Sequence, residues 1–169
     1  FAASLIQPND TIILDSGTTI AAMAYFIPEH INLNITCYNY YTLTQLFPKE
    51  GIQLTLAGGL LHKADQMFES SYANELIRSR RASKFFLAAS GIHEALGITC
   101  AHNYEVLTKK AAMSSSLSTI LVADSSKFGL VRSAFVAPLN SVDAIVTDSS
   151  ITDEWKNIIQ DMGIKLYIV

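Results

Sequence analysis

The amino-acid sequence predicts an α/β fold: a mostly parallel sheet flanked by helices. Three observations carry that prediction. Short apolar or β-branched runs alternate with segments of helical spacing along all 169 residues. Most of the runs are nearly continuous in apolar residues, the pattern of strands covered on both faces. Glycines and small polar residues collect where the runs end, as they do where a parallel sheet hands over to its helices.

Composition agrees. Half of the residues are hydrophobic and 16% are charged, enough for one domain, 1–169, with a sizeable core. Apolar runs such as FFLAASGI fall far short of the roughly 20 residues that cross a membrane, so no membrane partner is expected. A net charge of -3 argues against a domain that grips DNA by its own surface, which needs a basic stripe. The nearest approach to one is RSRRASK (78–84). It reads better as the solvated C-terminus of a helix, which the macrodipole favours, than as an anion site. Cys37 and Cys100 form no CxxC pair and have no clustered histidines. They read as buried thiols in a reducing cytoplasm, with no metal site. The first residue is Phe1, and FAASLI looks like the tail of an amphipathic helix, so the sequence is expected to begin inside a longer protein.

The elements follow in order. TIILD (11–15) is a β-branched strand. Residues 18–27 place Ile20, Met23, Ala24 and Ile27 at helical spacing, and Pro28 ends that helix. LNITCY (33–38) is a second strand, and YTLTQLF (41–47) is a short helix stopped before Pro48. IQLTLAGG (52–59) is a third strand running into a glycine pair. Residues 60–68 show no period and read as a loop; 69–79 are helical. KFFLAASG (84–91) is a strong strand. Residues 104–116 form a helix with cations in its middle, and 118–129 a strand ending in polar turn residues. AFVAPL (134–139) is a shorter strand or a connection, and DAIVTD (143–148) a strand. Residues 151–163 form a helix with Thr152 as cap, Asp153 and Glu154 at its positive end and Gly163 at its stop. IKLYIV closes the chain as a strand.

Ligands of open parallel sheets bind beyond the carboxyl ends of the strands, and four strand ends here carry unusual residues. They are Asp15-Ser16-Gly17-Thr18-Thr19, Ala57-Gly58-Gly59, Ala89-Ser90-Gly91 and Asp124-Ser125-Ser126-Lys127-Phe128-Gly129. In the first, Gly17 lets backbone approach a ligand. The N–H groups that open the next helix, with the hydroxyls of Ser16, Thr18 and Thr19, suit a phosphate. The plainer reading is a Ser or Thr cap with nothing bound. In the fourth, Lys127 is either a surface residue or the charge partner of that phosphate, and Asp124 either caps the turn or holds the lysine. Gly58 and Gly59 make either a tight turn or a close approach to a sugar. Each feature has an ordinary structural explanation, and their coincidence at four strand ends favours a site.

ILDSGTT, LTLAGG, FFLAASGI followed by LGIT, and LVADSSKFG, in this order and spacing, resemble the effector-sensing domain of DeoR-type sugar-metabolism repressors. The resemblance covers essentially the whole chain. It implies a Rossmann-like fold similar to ribose-5-phosphate isomerase and glucosamine-6-phosphate isomerase, and a phosphorylated sugar as effector. It also implies a winged helix-turn-helix DNA reader N-terminal to this segment. Ser16, Gly17, Thr18 and Thr19 become the implied phosphate loop and Lys127 its cation. Asp15 is implied to shape the pocket floor or bond a sugar hydroxyl. Asn39, with Tyr40 beside it, and Gly58 and Gly59 match further site positions, and Ser90 and Gly91 complete the expected set. The chain departs from the family where Tyr38 and Tyr40 flank Asn39 in place of a threonine and a small residue. It also lacks a glycine near Ser70 or Ser71. Two bulky phenols change what fits beside Asn39, so the sugar's identity does not transfer from a relative.

Sugar-phosphate isomerases need a carboxylate base beside the sugar. The related isomerases carry an acidic cluster after the strand that here ends Ala89-Ser90-Gly91-Ile92-His93-Glu94. His93 is expected at the pocket rim as a hydrogen-bonder, and Glu94 in solvent. Glu105 either caps a helix or touches a sugar hydroxyl. His62 and His102 are expected in exposed loops. No Ser-His-Asp arrangement is present, and neither catalytic residues nor a cofactor are assigned. The sequence thus predicts a cytoplasmic ligand sensor rather than an enzyme. It is expected to act as a homodimer or homotetramer and to touch DNA only through the N-terminal reader. A small sugar-phosphate isomerase or lyase is the alternative.

Overall fold

The computed structural model describes residues 1–169. After a 3-10 turn over Ala2–Leu5, the chain forms β1 (Thr11–Leu14), α1 (Thr18–Tyr25), β2 (Leu33–Cys37), α2 (Tyr40–Leu46) and β3 (Ile52–Leu56). These are parallel strands that step outward from β1 to β3, each joined to the next by a helix. A hairpin, β4 (Leu60–His62) and β5 (Met67–Glu69), and α3 (Ser71–Ser79) lead back to β6 (Ala82–Leu87), which pairs with the other side of β1. A second hairpin, β7 (Gly91–His93) and β8 (Gly97–Cys100), precedes α4 (Asn103–Ser114) and β9 (Ser116–Val122). After β10 (Ala134–Ala137) come β11 (Ala144–Thr147), α5 (Asp153–Asp161) and β12 (Lys165–Ile168).

The seven-stranded sheet has the order β12-β11-β9-β6-β1-β2-β3, and every neighbouring pair is parallel. The direction of travel reverses between β1 and β6, which opens a crevice at their carboxyl ends. Side chains alternate between the two faces. Ile12, Leu14, Ile35 and Phe86 pack with Ile20, Met23 and Ala24 of α1 and Leu46 of α2. Ile13, Phe85, Leu87 and Leu121 pack on the other face with Ile77 of α3, Ala111 and Ala112 of α4 and Ile159 of α5. Burial on both faces explains why the strands read as continuous apolar runs.

Both hairpins lie outside that sheet. Residues 60–68, expected as a loop, form the antiparallel pair β4–β5, with Leu60 opposite Glu69 and His62 opposite Met67. Each strand is three residues long, too short to display a period of two, and the turn contains no glycine; Gln66 takes the positive φ of 58°. The strand expected over 84–91 stops at Leu87, and β7, β8 and β10 make a separate three-stranded antiparallel sheet. The strand expected over 118–129 stops at Val122, and Ser125–Lys127 form a 3-10 turn. FAASLI is a 3-10 turn buried at Ala2 and Ala3 rather than an α-helical tail. No helix is long and apolar enough to cross a membrane.

Gly59 shows why the glycine pair precedes the first hairpin. Its φ is 148°, and a Cβ there would lie 2.3 Å from the Glu69 carbonyl oxygen and 2.6 Å from Ser70 Cβ. Gly59→Ala is expected to lose about 1–3 kcal/mol or more, read as a lower midpoint in urea unfolding. Gly58→Ala, with open space around its Cβ position, should lose markedly less.

Candidate functional site

The site is organised around the carboxylate of Asp15, which follows β1 and is 0% exposed. Its Oδ1 accepts the Ser16 backbone N–H at 2.8 Å and the Tyr38 hydroxyl at 2.5 Å. Its Oδ2 accepts the Ala88 backbone N–H at 2.8 Å and Lys109 Nζ at 2.5 Å. Lys109 also donates to the Ala88 carbonyl at 3.2 Å and lies 3.4 Å from Glu105 Oε2. Glu105 Oε1 accepts the His102 backbone N–H, closing the first turn of α4. One buried network therefore ties the ends of β1, β2 and β6 to α4. Burial alone would lower the Lys109 pKa, but the Asp15 and Glu105 carboxylates outweigh it and hold the ammonium above its ordinary 10.5. Burial, reinforced by the Asp15 charge, pushes the Tyr38 phenol well above 10.0. Burial also raises the Cys37 thiol to about 12 and the Cys100 thiol to about 11.

With Asp15 bonded below it, the turn Ser16-Gly17 enters α1 without a side-chain cap. Gly17 occupies the N-cap position at φ 113° and ψ 158°, a conformation suited to glycine. The other α-helices that start beside a Ser, Thr or Asn are capped: Asn39 Oδ1 caps α2, Ser70 Oγ caps α3 and Thr152 Oγ1 caps α5. The backbone N–H groups of Gly17, Thr18 and Thr19 find no acceptor in the protein. They open into a cleft of about 590 Å3 at the crevice between β1 and β6.

That cleft brings together Ser16, Gly17, Thr18, Thr19, Ser90, Glu105 and Lys127 of the expected set. It adds Asp65, Lys109, Arg132 and Ser133, which the sequence reading did not single out, and His102, which was expected in an exposed loop. Lys127 is 3.6 Å from Asp124 Oδ2. The Ser126 hydroxyl, and then Lys127, hold the Asp124 carboxyl below its ordinary 3.8 against a smaller opposing effect of burial. The turn that carries Lys127 is anchored by Asp148, whose carboxylate accepts the Ser125 and Ser150 N–H groups and is thereby lowered to about 2.

Other expected residues serve the frame instead of the cleft wall. Asp15 is saturated with donors and lies beneath the site. Asn39 is buried; its Oδ1 caps α2 and its Nδ2 donates to the Asp65 carbonyl. Tyr40 is half exposed on α2 and away from the cleft, although its backbone N–H holds the Gln66 carbonyl. Gly58 accepts a bond from Ser70 Oγ, and Gly59 permits the close approach of Glu69. Gly91 is buried against Leu130 and Thr99. His93 Nδ1 accepts the Ala95 and Leu96 N–H groups, so it closes the β7–β8 turn rather than standing at a rim. His62 is not a loop residue: it stacks on Tyr104 at 3.6 Å, and His102 stacks on the other side at 4.9 Å. Tyr104 donates to Asp65 Oδ2, which fastens the β4–β5 turn beside the cleft. The spacing of Glu105 and Lys109, one helical turn apart, is the signal that could have pointed to Lys109.

Removing one partner of a buried ion pair leaves the other uncompensated. Lys109→Met is expected to destabilise by about 3–5 kcal/mol, read by denaturant unfolding. Adding Asp15→Asn to it should recover part of the loss. Because the folded Lys109 pKa is raised, its contribution is full below 10.5 and disappears as pH rises through the folded value. The unsubstituted chain should therefore lose stability in that alkaline window and the double variant should lose less.

Comparisons with known proteins agree with this architecture. The family model of the DeoR C terminal sensor domain matches residues 1–149. The chain is 32% identical over 165 residues to the deoxyribose operon repressor of Escherichia coli K12, covering 98% of this chain and 66% of that protein. It is 30% identical over 167 residues to the HTH-type transcriptional repressor GlcR of Bacillus subtilis, covering 99% and 64%. It thus spans about two thirds of the length of these curated relatives. Among solved structures, a translation initiation factor eIF-2B of Pyrococcus horikoshii OT3 matches with a TM-score of 0.53 at 16% identity, covering 85% of this chain and 58% of that one. Ribose 5 phosphate isomerase A of Neisseria gonorrhoeae matches at 0.50 and 18%, covering 78% and 50%. Likeness at that identity establishes the fold, and the family model together with the repressor similarity establishes more: this chain belongs to the family of DeoR C-terminal sensor domains.

Proposed function

We propose that this domain senses a phosphorylated sugar bound at the carboxyl ends of β1 and β6. The observation that carries the reading is the uncapped N-terminus of α1, whose free N–H groups face a cleft that also holds Lys127 and Arg132. Backbone donors, the helix dipole and two cations suit a phosphate group. The hydroxyls of Ser16, Thr18 and Thr19 add donors, while Ser90, Asp65 and Glu105 offer acceptors to sugar hydroxyls. The name of the deoxyribose operon repressor makes a pentose phosphate the first compound to try.

An effector changes a regulator only through different affinity for two arrangements. In this reading the sensor works as a homodimer or homotetramer in the cytoplasm. Ligand binding resets the spacing of winged helix-turn-helix readers carried N-terminal to it, and dimeric readers depend on half-site spacing. Turnover of the sugar, the isomerase reading, finds little support in the groups present. His93 is spent on a hairpin turn, Glu94 is exposed, and Glu105 is engaged by the His102 N–H and Lys109.

The test is thermal unfolding against pentose and hexose phosphates, each paired with its unphosphorylated parent. A ligand bound only by the folded state at 100 times its Kd adds about 2.7 kcal/mol, a clear rise in melting temperature. The expected outcome is a rise with one sugar phosphate, none with its parent sugar, and a reduced rise for Lys127→Ala. No rise with any phosphorylated sugar would remove the proposal.

A further inference from the structure

The two cations of the rim are held differently. Lys127 is shared with Asp124. Arg132 has no carboxylate within ion-pair distance, yet its position is fixed at both ends. Its backbone N–H donates to Thr99 Oγ1 at 2.9 Å, and its Nε reaches the Ser90 carbonyl at 3.4 Å. Thr99 is buried, and its hydroxyl proton goes to the Gly91 carbonyl at 3.1 Å. One hydroxyl therefore clamps β7 to the segment that carries Arg132.

Gly91 makes that clamp possible. A Cβ at Gly91 would lie 2.7 Å from both the Leu130 carbonyl oxygen and Thr99 Oγ1. The segment is seated a second time by the Gly129 N–H, which donates to the Ile92 carbonyl at 2.8 Å. The result brings a guanidinium to the end of β6. The α1 N-terminus lies close by: the position of a Cβ on Gly17 would be 3.5 Å from Ala88 Cβ, and Ser90 is two residues further along.

With Nε directed at Ser90, both Nη groups remain as a planar fork of donors. Such a fork matches two oxygens of a phosphate better than the single ammonium of a lysine that a carboxylate already shares. The contact to Ser90 also directs the exposed side chain toward the cleft before a ligand arrives.

Resting on the sugar-phosphate reading above, we infer that Arg132 is the principal phosphate-recognising side chain of the cleft, with Gly91 and Thr99 as its positioning residues and Lys127 as a secondary charge. The ligand class this assigns is a phosphate monoester, in preference to the free sugar.

The experiment is isothermal titration with inorganic phosphate, ribose 5-phosphate, deoxyribose 5-phosphate and the two unphosphorylated pentoses. The proteins are the unsubstituted chain, Arg132→Ala, Arg132→Lys, Thr99→Val and Lys127→Ala. Arg132→Ala should weaken the phosphorylated probes by about tenfold to a hundredfold and leave any affinity for the free pentoses unchanged. Arg132→Lys should restore only part of the loss, Thr99→Val should share it, and Lys127→Ala should cost less. If Arg132→Ala binds the phosphorylated probes as the unsubstituted chain does while Lys127→Ala does not, the assignment to Arg132 falls and the sugar-phosphate reading stands. Equal losses for phosphorylated and free pentoses would reduce Arg132 to a structural role and overturn the assignment. If the unsubstituted chain binds neither these probes nor the hexose phosphates of the thermal test, both the assignment and the reading fall.

Discussion

A carboxylate with no exposed surface needs several donors, and in this fold that requirement falls on Asp15. Its four partners come from the turn after β1, from Tyr38 beyond β2, from Ala88 beyond β6 and from Lys109 on α4. Each segment is held to the others by one charge that cannot be left unpaired without a cost of several kcal/mol. The crevice between β1 and β6 is thus a braced opening whose edges are bonded to a common point. Lys109 answers that charge, and Glu105 and the Ala88 carbonyl take its remaining donors.

Neutralising the floor has an electrostatic effect on the rim. Lys109 is occupied by Asp15 and Glu105, so the positive character available to a ligand comes from Lys127, Arg132 and the amino end of α1. That division accounts for the uncapped start of α1, in contrast to the side-chain caps of α2, α3 and α5. Asp15 draws the Ser16 N–H downward, Gly17 takes a conformation closed to most residues, and the next amides are left facing the cleft.

Much of this was legible in the sequence, and the failures have physical causes. Continuous apolar strands and helical spacing identified the parallel sheet, and three of the four small polar turns singled out lie at the cleft, Gly58-Gly59 being the exception. The hairpins escaped because strands of three or four residues show no period. Lys109 escaped because Lys109-Lys110 reads as solvated charge; its partner Asp15 is far away in sequence and meets it only through the fold. Arg132 escaped for a similar reason, since its position depends on a threonine and a glycine in another sheet. Gly58, Gly59, Gly91 and Asn39 were noticed as unusual, but their partners are other segments of the chain. Sequence shows that backbone comes close at such residues without showing what it comes close to.

The free donors at the start of α1 are main-chain amides, and in the proposed site this separates the anchoring of a ligand from the choice among ligands. A backbone amide persists through nearly any substitution that preserves the turn, so these donors do not depend on the side chains around them. The walls are built from side chains: Asp65 in the β4–β5 turn, Ser90 beyond β6, His102 and Glu105 at the start of α4, and Lys127 and Arg132 between β9 and β10. Glu105 belongs to the network that holds the opening together, whereas Lys127 and Arg132 lie outside it. In the proposed site, the choice among ligands would therefore rest on the walls and the anchoring on the backbone.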